Sequence, residues 1–126
     1  MKLQVPMAVI AGVALGSLLS AAPRAQKAPI AYYMAEIDVK DVEADKRVLA
    51  KFPAPAEAFG GRYLARGGKS IAFNGDPPRR LILVQFDSLD AIRAWREAAV
   101  TKQFEAERKV VGSNILRAFA IEGLPK

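Results

Sequence analysis

The chain has 126 residues, of which 52% are hydrophobic and 25% are charged, and its formal net charge is +6. This length fits one folded domain, because two domains would each lack a proper core, and the composition is typical of a globular protein. The sequence contains no cysteine and no histidine, which excludes disulfides, thiolate or histidine catalysis, histidine-ligated haem and the usual zinc ligand sets. We therefore expect no metal and no cofactor.

Lysines and arginines are scattered among carboxylates rather than gathered in one run. This pattern is typical of a solvated surface and not of a nucleic-acid-binding patch. We predict no nucleic-acid partner.

The N-terminus has the order of regions found in secretory signal peptides. A positively charged start precedes an uncharged apolar stretch over 3–19, and small residues follow over 20–22. The stretch is only marginally long enough for the ~20 residues of a membrane-spanning helix, so cleavage is favoured over a retained anchor. We predict a signal peptide over 1–25 and a flexible leader over 26–29. The protein is then periplasmic or secreted, and it touches a membrane only if the signal stays uncut.

The mature domain begins with a strand and a helix. Residues 30–39 are dense in β-branched, aromatic and apolar side chains, which predicts a strand buried on much of both faces. Asp41 is placed to cap a helix over 42–51, and Pro53 and Pro55 interrupt it. We expect an inward stripe of Val42, Val48, Leu49 and Phe52, with Glu43, Asp45, Lys46, Arg47 and Lys51 facing outward.

A hairpin occupies the middle of the chain. A short helical turn from Ala56 ends before Gly60-Gly61, and a strand over 61–66 follows. The run Asn74-Gly75-Asp76-Pro77-Pro78 is a strong turn signal. The uninterrupted apolar run LILVQF then predicts a central strand over 80–87.

Two helices and a strand complete the domain. Ser88 is a good N-cap for a helix over 89–99 whose apolar stripe includes Trp95. A further helix is expected over 101–111, and residues 114–122 close the domain as a last strand.

The order strand, helix, strand, strand, helix, strand predicts an α+β fold with the split βαβ arrangement of ferredoxin-like domains. Four antiparallel strands then carry helices on one face. The first and third strands nevertheless have apolar residues at both odd and even positions, so that apolar side chains point to both faces of the sheet. The second of these apolar faces would be left uncovered. We expect a homodimer that pairs through this sheet face.

Several motifs resemble those of domain-of-unknown-function family 1330, in the dimeric α/β-barrel superfamily. The resemblance covers about residues 30–123, leaving 124–126 as a tail. The residues that carry it are Tyr32-Tyr33, the run Glu36 to Asp41, the block Phe59 to Gly68, Phe86-Asp87-Ser88, Ala94-Trp95, Arg108 and Ile121-Glu122-Gly123. The resemblance implies a ferredoxin-like domain that pairs as a dimeric α/β barrel, and it implies no settled activity. Superfamily relatives include cofactor-free monooxygenases, lactone isomerases and haem enzymes, so the fold does not choose among them.

Arginines and tyrosines are the candidate ligand-binding residues. Arg62 and Arg66 are expected to share a face of their strand and to bind a carboxylate or another anion. The alternative is that both pair with Glu36 or Asp38 at the strand edge. Tyr33 and Tyr63, together with Tyr32, are candidate phenol donors to a small ligand, and the alternative makes them core or interface residues.

The remaining conspicuous residues have structural explanations. We interpret Trp95 as a core anchor, and Gly60, Gly61 and Gly67 as turn residues without a phosphate-loop pattern around them. Acidic residues at the end of the first strand alternate along it and lead into a helix cap, so they do not require a metal.

Three functional hypotheses follow. The first is an exported dimeric domain that binds a small organic or anionic ligand or has a structural role. The second is a cofactor-independent enzyme resembling a monooxygenase or an isomerase, which without histidine or cysteine would rely on Tyr, Asp, Glu or Arg. The third is a subunit of a larger assembly.

Overall fold

Four strands form one antiparallel sheet in the order β2-β3-β1-β4, and the helices cover one of its faces. The computed structural model describes residues 28–52 and 55–125. The elements in chain order are β1 (Ala31–Val39), α1 (Val42–Lys51), a 3-10 turn (Glu57–Phe59), β2 (Arg62–Arg66), β3 (Arg80–Phe86), α2 (Leu89–Glu97), α3 (Ala99–Val110) and β4 (Ser113–Glu122). The α+β ferredoxin-like architecture predicted from the sequence is confirmed.

The two strongest helix-start signals form the predicted caps. The Asp41 side chain accepts a hydrogen bond from the Ala44 amide at 3.0 Å, and Ser88 Oγ accepts one from the Ala91 amide at 3.1 Å. Each bond satisfies a backbone donor that the first turn of a helix leaves without a partner. The caps fix where α1 and α2 begin, and so which side chains these helices turn toward the sheet.

The core lies between the helices and the side of the sheet that faces them. Its buried members are Ala31, Tyr33, Ala35, Ile37, Ala56, Val84, Phe86, Ile92 and Trp95. The Trp95 ring lies 4.8 Å from the Tyr33 ring, edge to face, and 5.2 Å from the Phe86 ring. Trp95 is therefore a core anchor, as the apolar stripe of α2 predicts.

Helix α1 differs from its predicted pattern at two positions. Asp45, expected to face outward, is only 4% exposed, whereas Val42, expected to face inward, is 57% exposed. The reason is electrostatic, because Asp45 accepts hydrogen bonds from Arg108 on α3 and from Ser113 on β4. A buried carboxylate with such partners is stable where an unpaired one is not.

The opposite side of the sheet, which we call the open face, carries apolar side chains that no described helix covers. The strand register places on it Tyr32 and Met34 from β1, Leu81 and Leu83 from β3, and Phe119 and Ile121 from β4. Phe119 and Ile121 are 48% and 59% exposed. The prediction of apolar residues on both faces of β1 and β3 is confirmed.

The predicted signal peptide and the first half of the leader lie outside the described residues. Within the part of the chain that the structure describes, no helix has the length and apolar character needed to cross a membrane.

Candidate functional site

A cavity of about 640 Å³ lies between the helix-facing side of the sheet and the helices. Its apolar wall includes Ala35 and Ile37 on β1 and Ile82 and Val84 on β3. Ala35 lies at the centre of the sheet, paired with Ile82. Its methyl group fills little of the space between the sheet and the helices, which helps to leave that space open.

The strand register orders the side chains of the cavity into rows across the sheet. Tyr63, Val84 and Tyr33 form one row, since Val84 pairs with both tyrosines. Arg66, Ile82 and Ala35 form the next row, and the pair of Arg80 with Ile37 forms a third. One end of the cavity is therefore lined by the two tyrosines, and each of the next two rows contributes one arginine, Arg66 and then Arg80.

Arg62 does not belong to this site. The pairing of β2 with β3 shifts between Tyr63 and Ala65, so that Arg62 pairs with Gln85 whereas Arg66 pairs with Ile82. This irregularity turns the two arginines to opposite sides of the sheet, because side chains alternate only along a regular strand. The prediction that Arg62 and Arg66 share a face is wrong. Tyr33, Tyr63 and Arg66 do come together around the cavity.

The charged side chains of the cavity are almost all positive. Six of the lining residues are cationic, namely Arg66, Arg80, Arg96, Lys102, Arg108 and Lys109, and one is a carboxylate, Glu105. Such a wall attracts an anion, and its partly desolvated position strengthens that attraction.

Glu105 is held by Arg96 in a bidentate pair that joins α2 to α3. Arg96 Nη1 donates to Oε2, and Arg96 Nη2 donates to Oε1 at 3.0 Å. The Arg96 guanidinium also lies 5.3 Å from the Tyr33 ring and 5.2 Å from the Trp95 ring, within the range of cation–π attraction. Although burial would lower the pKa of Arg96, the bond to Glu105 outweighs it and raises that pKa further, so the charge of Arg96 is fixed.

A second buried pair lies at the arginine end of the cavity. Arg108 Nε and Nη2 donate to the two carboxylate oxygens of Asp45 at 2.7 and 2.8 Å, and Ser113 Oγ donates to Asp45 at 2.7 Å. Burial alone would raise the pKa of Asp45, yet the bonds from Arg108 and Ser113 outweigh it and hold the pKa below its usual value. Asp45 is thus ionised and committed to Arg108.

Arg66 and Arg80, in contrast, form no ion pair with any carboxylate among the described residues. The Arg66 guanidinium lies 3.6 Å from the Tyr63 ring centroid, and Arg80 packs against the backbone of Gly67. Both contacts position the guanidinium groups without neutralising them. Lys102 and Lys109 likewise have no ion pair among the described residues. Arg66 and Arg80 are thus the two arginines of the cavity that remain available to a ligand.

The alternative that paired Arg62 and Arg66 with acids of β1 is wrong for the described residues. Glu36 pairs with Arg117 at 3.5 Å and accepts a hydrogen bond from the Arg79 amide at 3.0 Å. Asp38 pairs with Lys40 at 3.0 Å and with Arg79 at 2.9 Å. The acids at the end of β1 are therefore satisfied by cations outside β2.

Three glycines have the structural roles expected of them. Gly60 has a φ of 85° at the end of the 3-10 turn, and Gly67 has a φ of 71° where β2 ends, both in the left-handed region that favours glycine. Gly61 allows a close approach, because a Cβ atom there would lie 2.7 Å from the Phe86 ring. The described residues contain no group of three or more His, Cys, Asp or Glu placed to hold a metal ion.

Sequence reasoning identified only Arg66 among the charged residues that line the cavity. Arg80 and Arg96 stand at the start of a strand and the end of a helix and looked like ordinary surface residues. The helical periodicity predicted that Asp45 faces outward, and it gave no indication that Arg108 donates hydrogen bonds to this carboxylate. The one available signal was that several arginines occur on segments predicted to pack around the same core.

The sheet order, the helices on one face and the cavity between them define the chain as a ferredoxin-like α+β domain. It belongs to the family described as a domain of unknown function, DUF1330, whose model matches residues 30–124. No curated protein matches the chain in sequence.

Solved structures share the fold at low sequence identity. A protein of unknown function from Rhodopseudomonas palustris is 13% identical with a TM-score of 0.57, covering 82% of this chain and 89% of its own. SnoaB, a cofactor-independent oxygenase from Streptomyces nogalater, is 11% identical with a TM-score of 0.52, covering 79% of this chain and 97% of its own. At these identities the similarity establishes the fold alone.

Proposed function

We propose that this domain binds a small organic anion with a flat apolar body in the cavity between sheet and helices. The observation that carries the proposal is the pair of arginines, Arg66 and Arg80, which line the cavity beside apolar residues of β1 and β3 and have no ion-pair partner among the described residues. A guanidinium group binds a carboxylate or a phosphate through parallel hydrogen bonds. The volume of about 640 Å³ lies within the range of small-molecule sites.

The state of the titratable groups favours binding over proton abstraction. Burial raises the pKa of both Tyr33 and Tyr63, and the nearby arginines offset only part of that shift, so neither phenol is ionised near neutral pH. Glu105 is bound at both oxygens by Arg96. A general base must take up a proton near the working pH, and two phenols that keep their own protons cannot do so. A binding domain therefore explains this cavity better than an acid–base enzyme does.

The charge of the ligand is tested with a matched pair of probes, 2-naphthoate and neutral 2-naphthamide. Trp95 is the single tryptophan of the chain and lines the cavity, so its indole N–H signal in a ¹H–¹⁵N spectrum reports on the site alone. We expect 2-naphthoate to shift this signal with a dissociation constant of about 1 mM or tighter, a modest efficiency for a ligand of this size. Equal binding of the amide would contradict the proposal.

The site of binding is tested by two substitutions on β2. We expect Arg66→Ala to weaken 2-naphthoate binding by roughly 10- to 100-fold, because it removes hydrogen bonds between charged groups. Arg62→Ala is the matched control, since Arg62 lies on the same strand but faces the opposite side of the sheet. The assignment to the cavity fails if both substitutions weaken binding equally.

A homodimer that pairs through the open face is the second part of the proposal. Its support is the set of apolar side chains there, of which Phe119 and Ile121 are about half exposed. Contiguous apolar surface of this kind marks an interface in soluble proteins. Light scattering over a dilution series should give twice the monomer mass, and Phe119→Asp should halve it. Phe73→Asp, at an 88% exposed loop position, should leave the mass unchanged. A wild-type monomer at all concentrations would refute the pairing.

Export is the third part of the proposal, and its support is the order of charge, apolar stretch and small residues over 1–25. Expression of the full chain in a bacterium, followed by fractionation and intact mass measurement, should recover a periplasmic or secreted form that has lost about 25 residues. A full-length form in the cytoplasmic fraction would count against it.

A further inference from the structure

The hydroxyl group of Tyr33 has no hydrogen-bond partner among the described residues, although Tyr33 is only 5% exposed. It is not one of the fully shielded polar atoms without a partner, which in the described part of the chain are Trp95 Nε1 and Thr101 Oγ1. Since Tyr33 lines the cavity, its hydroxyl group can donate to a ligand bound there. A nearly buried donor left without an acceptor is costly, so a ligand that supplies one is favoured.

The strand register gives the spacing of the backbone rows that carry this tyrosine and the arginines. Tyr33 pairs with Val84, Arg66 pairs with Ile82, and Arg80 is two residues further along β3. At about 3.3 Å per residue, the Tyr33 row lies roughly 7 Å from the Arg66 row and roughly 13 Å from the Arg80 row. The shorter distance is of the order of one aromatic ring with a substituent at each end.

The Tyr33 side chain is also held in one place and in one protonation state. Its ring packs edge to face on Trp95 at 4.8 Å, and Arg96 lies against it at 5.3 Å. Burial raises the pKa of this phenol, so it keeps its proton and acts as a donor near neutral pH. A fixed donor in a partly desolvated cavity discriminates strongly between ligands that can and cannot accept its hydrogen bond.

We propose that Tyr33 is a specificity-determining residue, and that the anion bound in the cavity carries a hydrogen-bond acceptor, such as a ketone oxygen, at the end opposite its acid group. The ligand class is then a flat keto acid or a related carbonyl-bearing carboxylate. Arg66 and Arg80 bind the acid group, and the Tyr33 hydroxyl donates a hydrogen bond to the acceptor at the opposite end of the ligand. This inference rests on the anion-binding function proposed above.

The test compares 4-acetylbenzoate with 4-isopropenylbenzoate, which have nearly the same shape but differ in whether an oxygen or a methylene group faces Tyr33. Dissociation constants are measured from the Trp95 indole signal of the full protein. We expect the ketone to bind about tenfold more tightly to the wild type and this preference to vanish in Tyr33→Phe. Tyr32→Phe, which removes a phenol on the open face of the same strand, is the matched control and should keep the preference, and Tyr63→Phe tests the other phenol of the cavity.

The outcomes separate this inference from the function on which it rests. If both benzoates bind the wild type equally, anion binding stands and the role of Tyr33 is overturned. If the preference disappears in Tyr63→Phe instead, the donor is the other tyrosine and the inference is likewise overturned. If neither benzoate binds, the anion-binding function fails together with it. If Tyr33→Phe does not fold, the wild-type preference together with its survival in Tyr63→Phe supports the inference, and its loss in Tyr63→Phe overturns it.

Discussion

The buried pair of Asp45 and Arg108 should make the largest electrostatic contribution to the stability of this domain. Asp45→Asn removes the negative charge while keeping the size of the side chain, and it leaves the Arg108 guanidinium, itself only 8% exposed, without a counter-charge. Three hydrogen bonds of 2.7 to 2.8 Å converge on the carboxylate. Breaking a buried ion pair of this kind costs about 3 to 5 kcal/mol.

The assay is equilibrium unfolding in urea, followed by circular dichroism. With a denaturant dependence of about 1.5 kcal/mol per molar, this loss lowers the midpoint by about 2 to 3 M. The control is Asp90→Asn, which removes the same group from an exposed pair with Arg93 and should change the free energy of unfolding by less than about 1 kcal/mol. Equal midpoint shifts in the two variants would refute the reasoning.

The same ion pair determines how the stability of the domain changes as the pH falls. The folded-state pKa of Asp45 is depressed, so its contribution is complete above the unfolded-state pKa of about 3.9 and disappears as pH falls through the lower folded-state pKa. The wild type should therefore lose stability more steeply than Asp45→Asn as the pH is lowered from 5. Parallel acid profiles would contradict the ionised, paired state of Asp45.

Four other substitutions test the packing around the cavity and the titration of its phenols. Gly61→Ala should cost about 1 to 3 kcal/mol in urea unfolding, because its Cβ atom would meet the Phe86 ring at 2.7 Å, whereas Gly68→Ala, with open space around it, should cost far less. Trp95→Ala should cost about 3 to 5 kcal/mol, and a loss below about 1 kcal/mol would contradict its place in the core. An alkaline titration at 295 nm should show two phenols that ionise above the usual tyrosine pKa, and Tyr33→Phe should remove one of them; loss of a phenol with the usual pKa instead would show that the pKa of Tyr33 is not raised.

Much of the fold could be predicted because its signals are local. The apolar run over 80–87, the caps at Asp41 and Ser88, and the two-faced strand over 30–39 each depend on neighbouring residues, so their boundaries agree with the structure to within two residues. The order of the elements then left the split βαβ topology as the simple solution. The apolar residues at both odd and even positions of β1 and β3 also predicted that one face of the sheet carries apolar side chains without helices over them.

The site was predicted less well because it depends on contacts that are distant in the sequence. The irregular pairing between Tyr63 and Ala65 places Arg62 and Arg66 on opposite faces of the sheet. The sequence of β2 contains no glycine or proline that would have predicted this irregularity. Asp45 is buried because Arg108, 63 residues away, donates to it, which periodicity within α1 does not reveal. Tyr33, Tyr63 and Arg66 were identified because residue type alone made them candidates for a ligand.

The measurement that tests the central claim most directly is a crystal structure of the protein in complex with 2-naphthoate. The account places the ring of the probe against Ile82 and Val84, with its carboxylate within hydrogen-bonding distance of the Arg66 or Arg80 guanidinium. A probe bound on the open face, or a cavity that stays without the probe when the solution titration is saturated, would contradict the claim that this cavity is an anion-binding site.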